Sequence, residues 1–142
     1  MNNLLKGKKG IIFGALDENS IAWKVALKAK EQGAEFVLSN APVALRLGKI
    51  NELAELCDTT VIAADATNVE DLENLFDQAI EKYGKLDFIL HSIGMSPNVR
   101  KNKAYTELNY DWFLKTLDIS ALSFHKVLQV AYQKDALNEW SS

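Results

Sequence analysis

The sequence predicts a doubly wound α/β domain on a parallel sheet, and three observations carry that expectation. Four short apolar runs, GIIFGA, EFVLS, TVIAAD and LDFILHSIG, read as strands buried on both faces. Longer stretches with helical spacing separate them. Strand alternating with helix in this way gives parallel strands joined by right-handed crossovers. At 142 residues the chain has room for one domain, spanning 1–142.

Each element has a local cause. The first run ends at Gly14, and a helix begins after Ser20, a good N-cap residue. Ile21, Val25 and Ala29 recur four apart along that helix, and Gly33 stops it. After EFVLS a helix is predicted from about Pro42 to Leu56, its proline suited to the first turn. After TVIAAD another runs from Val69 to Tyr83, with Leu72, Leu75, Phe76, Ala79 and Ile80 on one face. Asn68 or Thr67 caps its start and Gly84 closes it. Beyond the fourth run, SPNVRKNKAYTE reads as a surface loop and Leu108–Leu137 as largely helical. The chain then ends in NEWSS, where a fifth strand is expected to start. The domain is therefore expected to be incomplete at its C-terminus, truncated after about four strands and the following long helix. The open edge of the fourth strand would invite pairing with another chain.

Composition excludes several classes. Hydrophobic residues make up 48% and charged ones 25%, ordinary values for a globular protein. A net charge of −3, from 16 Lys+Arg against 19 Asp+Glu, gives no electrostatic footprint for nucleic acid. The single cysteine, Cys57, excludes an internal disulfide and a cysteine-based zinc cluster, and is expected as a half-buried helical thiol. MNNLLKGKKG lacks the apolar core of a signal peptide, and no stretch reaches membrane-spanning length. The expectation is a cytoplasmic protein with no membrane, nucleic-acid or metal partner.

Open parallel sheets bind ligands beyond the carboxyl ends of their strands, where strand order reverses. With order 3-2-1-4 that crevice lies between the first strand and the fourth, so FGALDENSIA should meet HSIGMSP. Gly14 is either a plain strand-to-helix turn or the place where a ligand approaches backbone closely. Ser20 is either an N-cap or a hydroxyl donor to a phosphate oxygen, aided by free N–H groups at the helix start, Ile21 among them. Asp65 either caps the next turn or accepts from an exocyclic adenine amine, with the N–H of Ala66 reaching a ring nitrogen and Ile93 lining the pocket. His91 reads as a strand-end residue with a satisfied ring rather than a general base, and His125 as a surface or interface residue.

Gly14-x5-Ser20-Ile21-Ala22, Asp65, HSIG followed by Pro97, and the DIS-ALSF segment from Asp118 to Phe124 together resemble the enoyl-acyl-carrier-protein reductases. These belong to the short-chain dehydrogenase/reductase superfamily. The resemblance implies a Rossmann-like fold and NADH-dependent reduction of the trans-2 double bond of an acyl-carrier-protein thioester in fatty-acid biosynthesis. It implies cofactor contacts by Gly14, Ser20, Ile21, Asp65, Ala66 and Ile93, and a substrate contact by Ser96. Ser96 is alanine in well-known members. Where the family often has a glutamine holding the adenosine ribose, this chain has Ala41, leaving Asn40 or local backbone to serve. No arginine sits there for a 2′-phosphate, and Asp17 and Glu18 would repel one, so NADH is expected over NADPH. A homo-oligomer is implied through the long helices that Trp112–Leu137 resemble.

Family catalysis uses Tyr-x6-Lys, which supplies a donor and positive charge to the developing enolate. Tyr83, Tyr105 and Tyr110 are followed at that spacing by Leu90, Trp112 and Leu117, and no lysine follows Tyr132 between Leu137 and Ser142. No catalytic residue is therefore assigned. The expectation is the cofactor-binding half of a reductase, inactive alone. A non-catalytic dinucleotide-binding module and another short-chain reductase are the alternatives.

Overall fold

Four parallel strands, β1 (Lys9–Phe13), β2 (Glu35–Asn40), β3 (Val61–Ala63) and β4 (Phe88–His91), form one sheet in the order β3-β2-β1-β4. The architecture is seen in a computed structural model, which describes residues 3–142. Strand order and the parallel pairing are those expected. Ile11 pairs in register with Val37 on one side and Ile89 on the other, so β1 lies at the centre of the sheet.

Alternation along β1 builds two cores. Ile11 and Phe13 face a layer made by α4 (Val69–Tyr83) and α7 (Ser123–Gln133), where Leu72, Leu75, Phe76, Val127 and Val130 are buried. Ile12 faces the opposite layer, made by α1 (Ile21–Glu31) and α3 (Ile50–Cys57), with Trp23, Ala26, Phe36 and Leu53. Each fully buried Leu, Ile or Phe contributes about 1.5–3 kcal/mol. Asn68 caps α4 by accepting from the Asp71 N–H, and Gly84 ends it with φ 73°.

Several expectations are corrected. The buried face of α1 is Ala22, Trp23, Ala26 and Ala29, whereas Ile21 is 74% exposed, so the stripe is rotated from Ile21, Val25 and Ala29. The single helix expected over Pro42–Leu56 is two, α2 (Pro42–Leu47) and α3, because Gly48 closes onto the first loop. A side chain at Gly48 would put its first carbon 2.5 Å from the Leu16 carbonyl oxygen, and that oxygen accepts from the Lys49 N–H at 2.7 Å. Cys57 is buried outright rather than half-buried, and burial pushes its thiol pKa up.

The expected surface loop after β4 contains a short helix, α5 (Pro97–Arg100), and a 3-10 turn at Tyr105–Glu107. Buried Asn98 orders it: its amide donates to the Asn109 carbonyl and accepts from the Asn109 N–H, both at 3.0 Å. The long last helix is α6 (Tyr110–Leu117) and α7 joined by a π-helical turn, Asp118–Leu122. The edge of β4 is also less open than expected. The tail lies parallel along its first half, with Leu86 N–H donating to Ala136, Asn138 N–H to Leu86, and Ile89 N–H to Ser142.

Candidate functional site

The loops after β1 and β4 meet over the carboxyl end of the sheet. Gly14 holds φ 96°, its N–H donates to the Ser39 carbonyl at 3.0 Å, and a first side-chain carbon there would overlap the Ser92 carbonyl. Ile93 N is 3.5 Å from the same point. Glycine is thus required by backbone packing between the two loops, independently of any ligand. A bulky residue at Gly14 would strike the neighbouring loop.

Ser20 occupies the N-cap position of α1 but its hydroxyl does not cap the helix. It turns back into the loop and accepts from the N–H groups of Leu16 and Asp17 at 3.0 and 3.1 Å. A serine oxygen has two acceptor sites and one hydrogen. Both acceptor sites are filled, and among the described residues the hydroxyl hydrogen has no protein acceptor. Beside it the first N–H groups of α1, Ile21 included, have no intrahelical partner. Asn40 braces the loop from β2, donating to the Ala15 carbonyl at 2.9 Å while accepting from Ala41 N–H at 2.9 Å. Lys49 pairs with Glu18 at 2.9 Å, and that contact, a side-chain hydrogen bond first of all, lowers the Glu18 pKa and raises that of Lys49.

The third loop carries Asp65 and Ala66. One carboxylate oxygen of Asp65 accepts from Thr67 N–H at 2.9 Å and Thr67 Oγ1 at 2.7 Å. The Asp65 N–H in turn donates to Asp71 at 2.9 Å, and its carbonyl accepts from Asn68 N–H. The turn-forming role is therefore real, and it consumes only Oδ1. Among the described residues Oδ2 receives no protein donor, and the N–H of buried Ala66 has no protein acceptor. Asp65 and Ala66 thus leave an unpaired acceptor and an unpaired donor, among the described residues, on consecutive positions just after β3. Ile93, partly buried, packs against the core layer that includes Ala66. Ser96 lies apart from these groups in role: its hydroxyl caps α5, accepting from Val99 N–H at 3.4 Å.

A family model described as Enoyl-(Acyl carrier protein) reductase matches residues 14–142. The chain belongs to the enoyl-acyl-carrier-protein reductase family. Among curated relatives, enoyl-[acyl-carrier-protein] reductase [NADH] 2 of Rhizobium meliloti is 32% identical over 131 residues, covering 92% of this chain and 49% of that protein. Enoyl-[acyl-carrier-protein] reductase [NADH] FabI of Rickettsia felis is 33% identical over 135 residues, covering 94% and 50%. Among solved structures, the FabI–NADH complex from Alistipes finegoldii is 65% identical with a TM-score of 0.95, covering 98% of this chain and 50% of that one. The chain spans about half the length of the curated relatives it matches.

Three polar ties in this enoyl-acyl-carrier-protein reductase chain lay beyond sequence reasoning, since each joins residues far apart. His91 Nε2 meets Ser123 Oγ at 2.8 Å, and Ser123 donates to the Ile119 carbonyl. Burial lowers the His91 pKa, and Phe124 packs edge-on against its ring. This is the satisfied strand-end histidine expected. Ser120, in the π turn, accepts from Met95 N–H at 3.0 Å and so fixes the loop after β4. Lys126 donates to the Thr67 carbonyl at 3.2 Å and pairs with Asp118 at 2.8 Å. A serine or lysine on a helix carries no local signal of such a partner.

Proposed function

We propose that this chain forms the cofactor-binding half of an NADH-dependent enoyl-acyl-carrier-protein reductase of fatty-acid biosynthesis. One observation carries the proposal: among the described residues, Asp65 Oδ2 and the N–H of the next residue, Ala66, have no protein partner. The pair fits an adenine edge, Oδ2 accepting from the exocyclic amine and Ala66 donating to a ring nitrogen. Ser20 O–H and the N–H of Ile21 would take the pyrophosphate, Gly14 would give the backbone approach, and Ile93 would line the adenosine. Ser96 would contact the acyl substrate. NADH, when bound, supplies the hydride for the double bond. The cofactor named for the relatives above supports NADH, as does Glu18, which holds Lys49 in an ion pair.

The Tyr-x6-Lys pair is missing from the 142 residues, so the chain alone binds nucleotide without reducing substrate. With this assignment go an acyl-carrier-protein thioester as substrate, a cytoplasmic location and assembly of several copies. Phe113, Leu114, Leu117, Phe124 and Leu128, exposed along α6 and α7, support self-association.

Asp65→Asn tests the site with little disturbance of the turn. The asparagine oxygen can keep both Thr67 bonds, which puts an amide donor where Oδ2 was. Calorimetry should then show ADP affinity about 10- to 100-fold weaker, and its preference over IDP narrowed. An unchanged ADP-to-IDP ratio would sink the assignment.

A further inference from the structure

Lys126 stands outside every motif of the family resemblance, yet from α7 it reaches the turn that holds Asp65. Its side chain, 29% exposed, comes from α7 and ends between the Thr67 carbonyl at 3.2 Å and Asp118 Oδ1 at 2.8 Å. Thr67 is the residue whose N–H and hydroxyl both hold Asp65 Oδ1. A lysine ammonium has three donors and no acceptor, so it can satisfy a carbonyl and a carboxylate at once. Asp118 opens the π turn, which ties α7 to the loop after β4 through Ser120. The path Asp118–Lys126–Thr67–Asp65 is thus a continuous chain of polar contacts.

We propose that Lys126 is a positioning residue of the adenine subsite: held by Asp118, it fixes the Thr67 carbonyl and so aims the free oxygen of Asp65. The proposal rests on the assignment of Asp65 to the adenine amine. Without Lys126 the peptide after Thr67 loses its long-range anchor, and only the local turn and the Asp71 contact remain. Asp65 then keeps its charge but loses a fixed direction. Base discrimination depends on direction more than on charge.

Lys126→Met keeps the unbranched stem, which covers the same apolar surface, and removes the donor. Lys126→Arg restores a donor and a charge. Two readouts on the 142-residue chain decide the matter. Hydrogen exchange at the Thr67 amide should accelerate about tenfold in Lys126→Met and return to within about threefold of wild type in Lys126→Arg. Calorimetry with ADP and IDP should show the wild-type preference for ADP reduced about three- to tenfold in Lys126→Met and recovered in Lys126→Arg. A preference that survives Lys126→Met intact, or a Thr67 amide equally protected in both chains, overturns the proposal alone. A wild-type chain with no preference for ADP overturns the assignment of Asp65, and the proposal with it.

Discussion

The two ends of the sheet treat their polar groups in opposite ways. At the amino end, Asp87 accepts from Lys9 N–H at 2.9 Å, Asn138 Nδ2 at 3.1 Å and Lys8 Nζ at 3.3 Å. Its backbone is paired too, with its N–H on the Lys9 carbonyl and its carbonyl taking Ser142 N–H. At the carboxyl end, among the described residues, the Ser20 hydrogen, one Asp65 oxygen and the Ala66 N–H have no protein partner. Leaving such groups unpaired carries a desolvation cost wherever water is excluded. On the proposed function, the difference separates anchoring from recognition. A carboxylate whose lone pairs are taken by its own chain fastens strands together, while one braced through a single oxygen offers the other to a ligand.

The comparison is broken most severely at Gly14, which belongs to the open end but is constrained by packing. Gly14→Val forces a β-branched residue into φ 96° and drives its side chain into the Ser92 carbonyl. Urea unfolding should show about 2–4 kcal/mol of lost stability. Nucleotide binding would be lost with the geometry of both loops, so affinity alone cannot tell a filled phosphate path from a displaced loop. A loss under about 1 kcal/mol would mean that the loops yield, and that their contact does not shape the crevice.

The fold was legible because it rests on periodicity. Ile11, Ile12 and Phe13 needed no partner to be named as core, and the α4 stripe of Leu72, Leu75, Phe76 and Ala79 follows from spacing alone. Local chemistry was equally readable: Asn68 as a cap, Gly84 as a stop, Ser20 at a helix start. Failures came where a distant contact overrides a local pattern. Gly48 breaks a helix because Leu16 lies against it, and Asn98 orders a loop because Asn109 is within reach. The direction of the Ser20 hydroxyl was likewise invisible, since capping and loop bracing demand the same residue at the same position. Motif spacing identified that the loops after β1 and β4 meet, at Gly14 and Ile93. It did not distinguish the groups that are spent internally from those left open.

Asp87→Asn sharpens the comparison from the closed end. Burial by itself raises the Asp87 pKa, but the hydrogen bonds from Lys9 N–H, Asn138 and Lys8 outweigh it, and the net value lies below the usual carboxylate range. A carboxylate whose folded pKa is depressed stabilises the native state above its unfolded pKa, near 4, and loses that contribution as pH falls through the lower folded value. Wild-type stability should therefore decline below about pH 4, and the decline should be shallower in Asp87→Asn. At neutral pH the variant should lose about 1–3 kcal/mol, read by urea unfolding, with ADP affinity per folded molecule unchanged. Parallel acid profiles for the two proteins would show that Asp87 is not a principal anchor.

Ser20→Ala should have the smallest effect on stability and a disproportionate one on binding. The hydroxyl braces two amides of a partly exposed loop, and water can replace it at both, so the expected loss is about 0.5–1.5 kcal/mol. Its outward hydrogen has no such substitute once a phosphate oxygen excludes water, and ADP affinity should fall about five- to tenfold. Adenosine, which carries no phosphate, should bind wild type and variant alike. That contrast isolates the hydroxyl from the rest of the crevice. Equal losses for ADP and adenosine would mean that the mutation loosened the loop as a whole, and that Ser20 belongs with Asp87 among the groups that only fasten the fold.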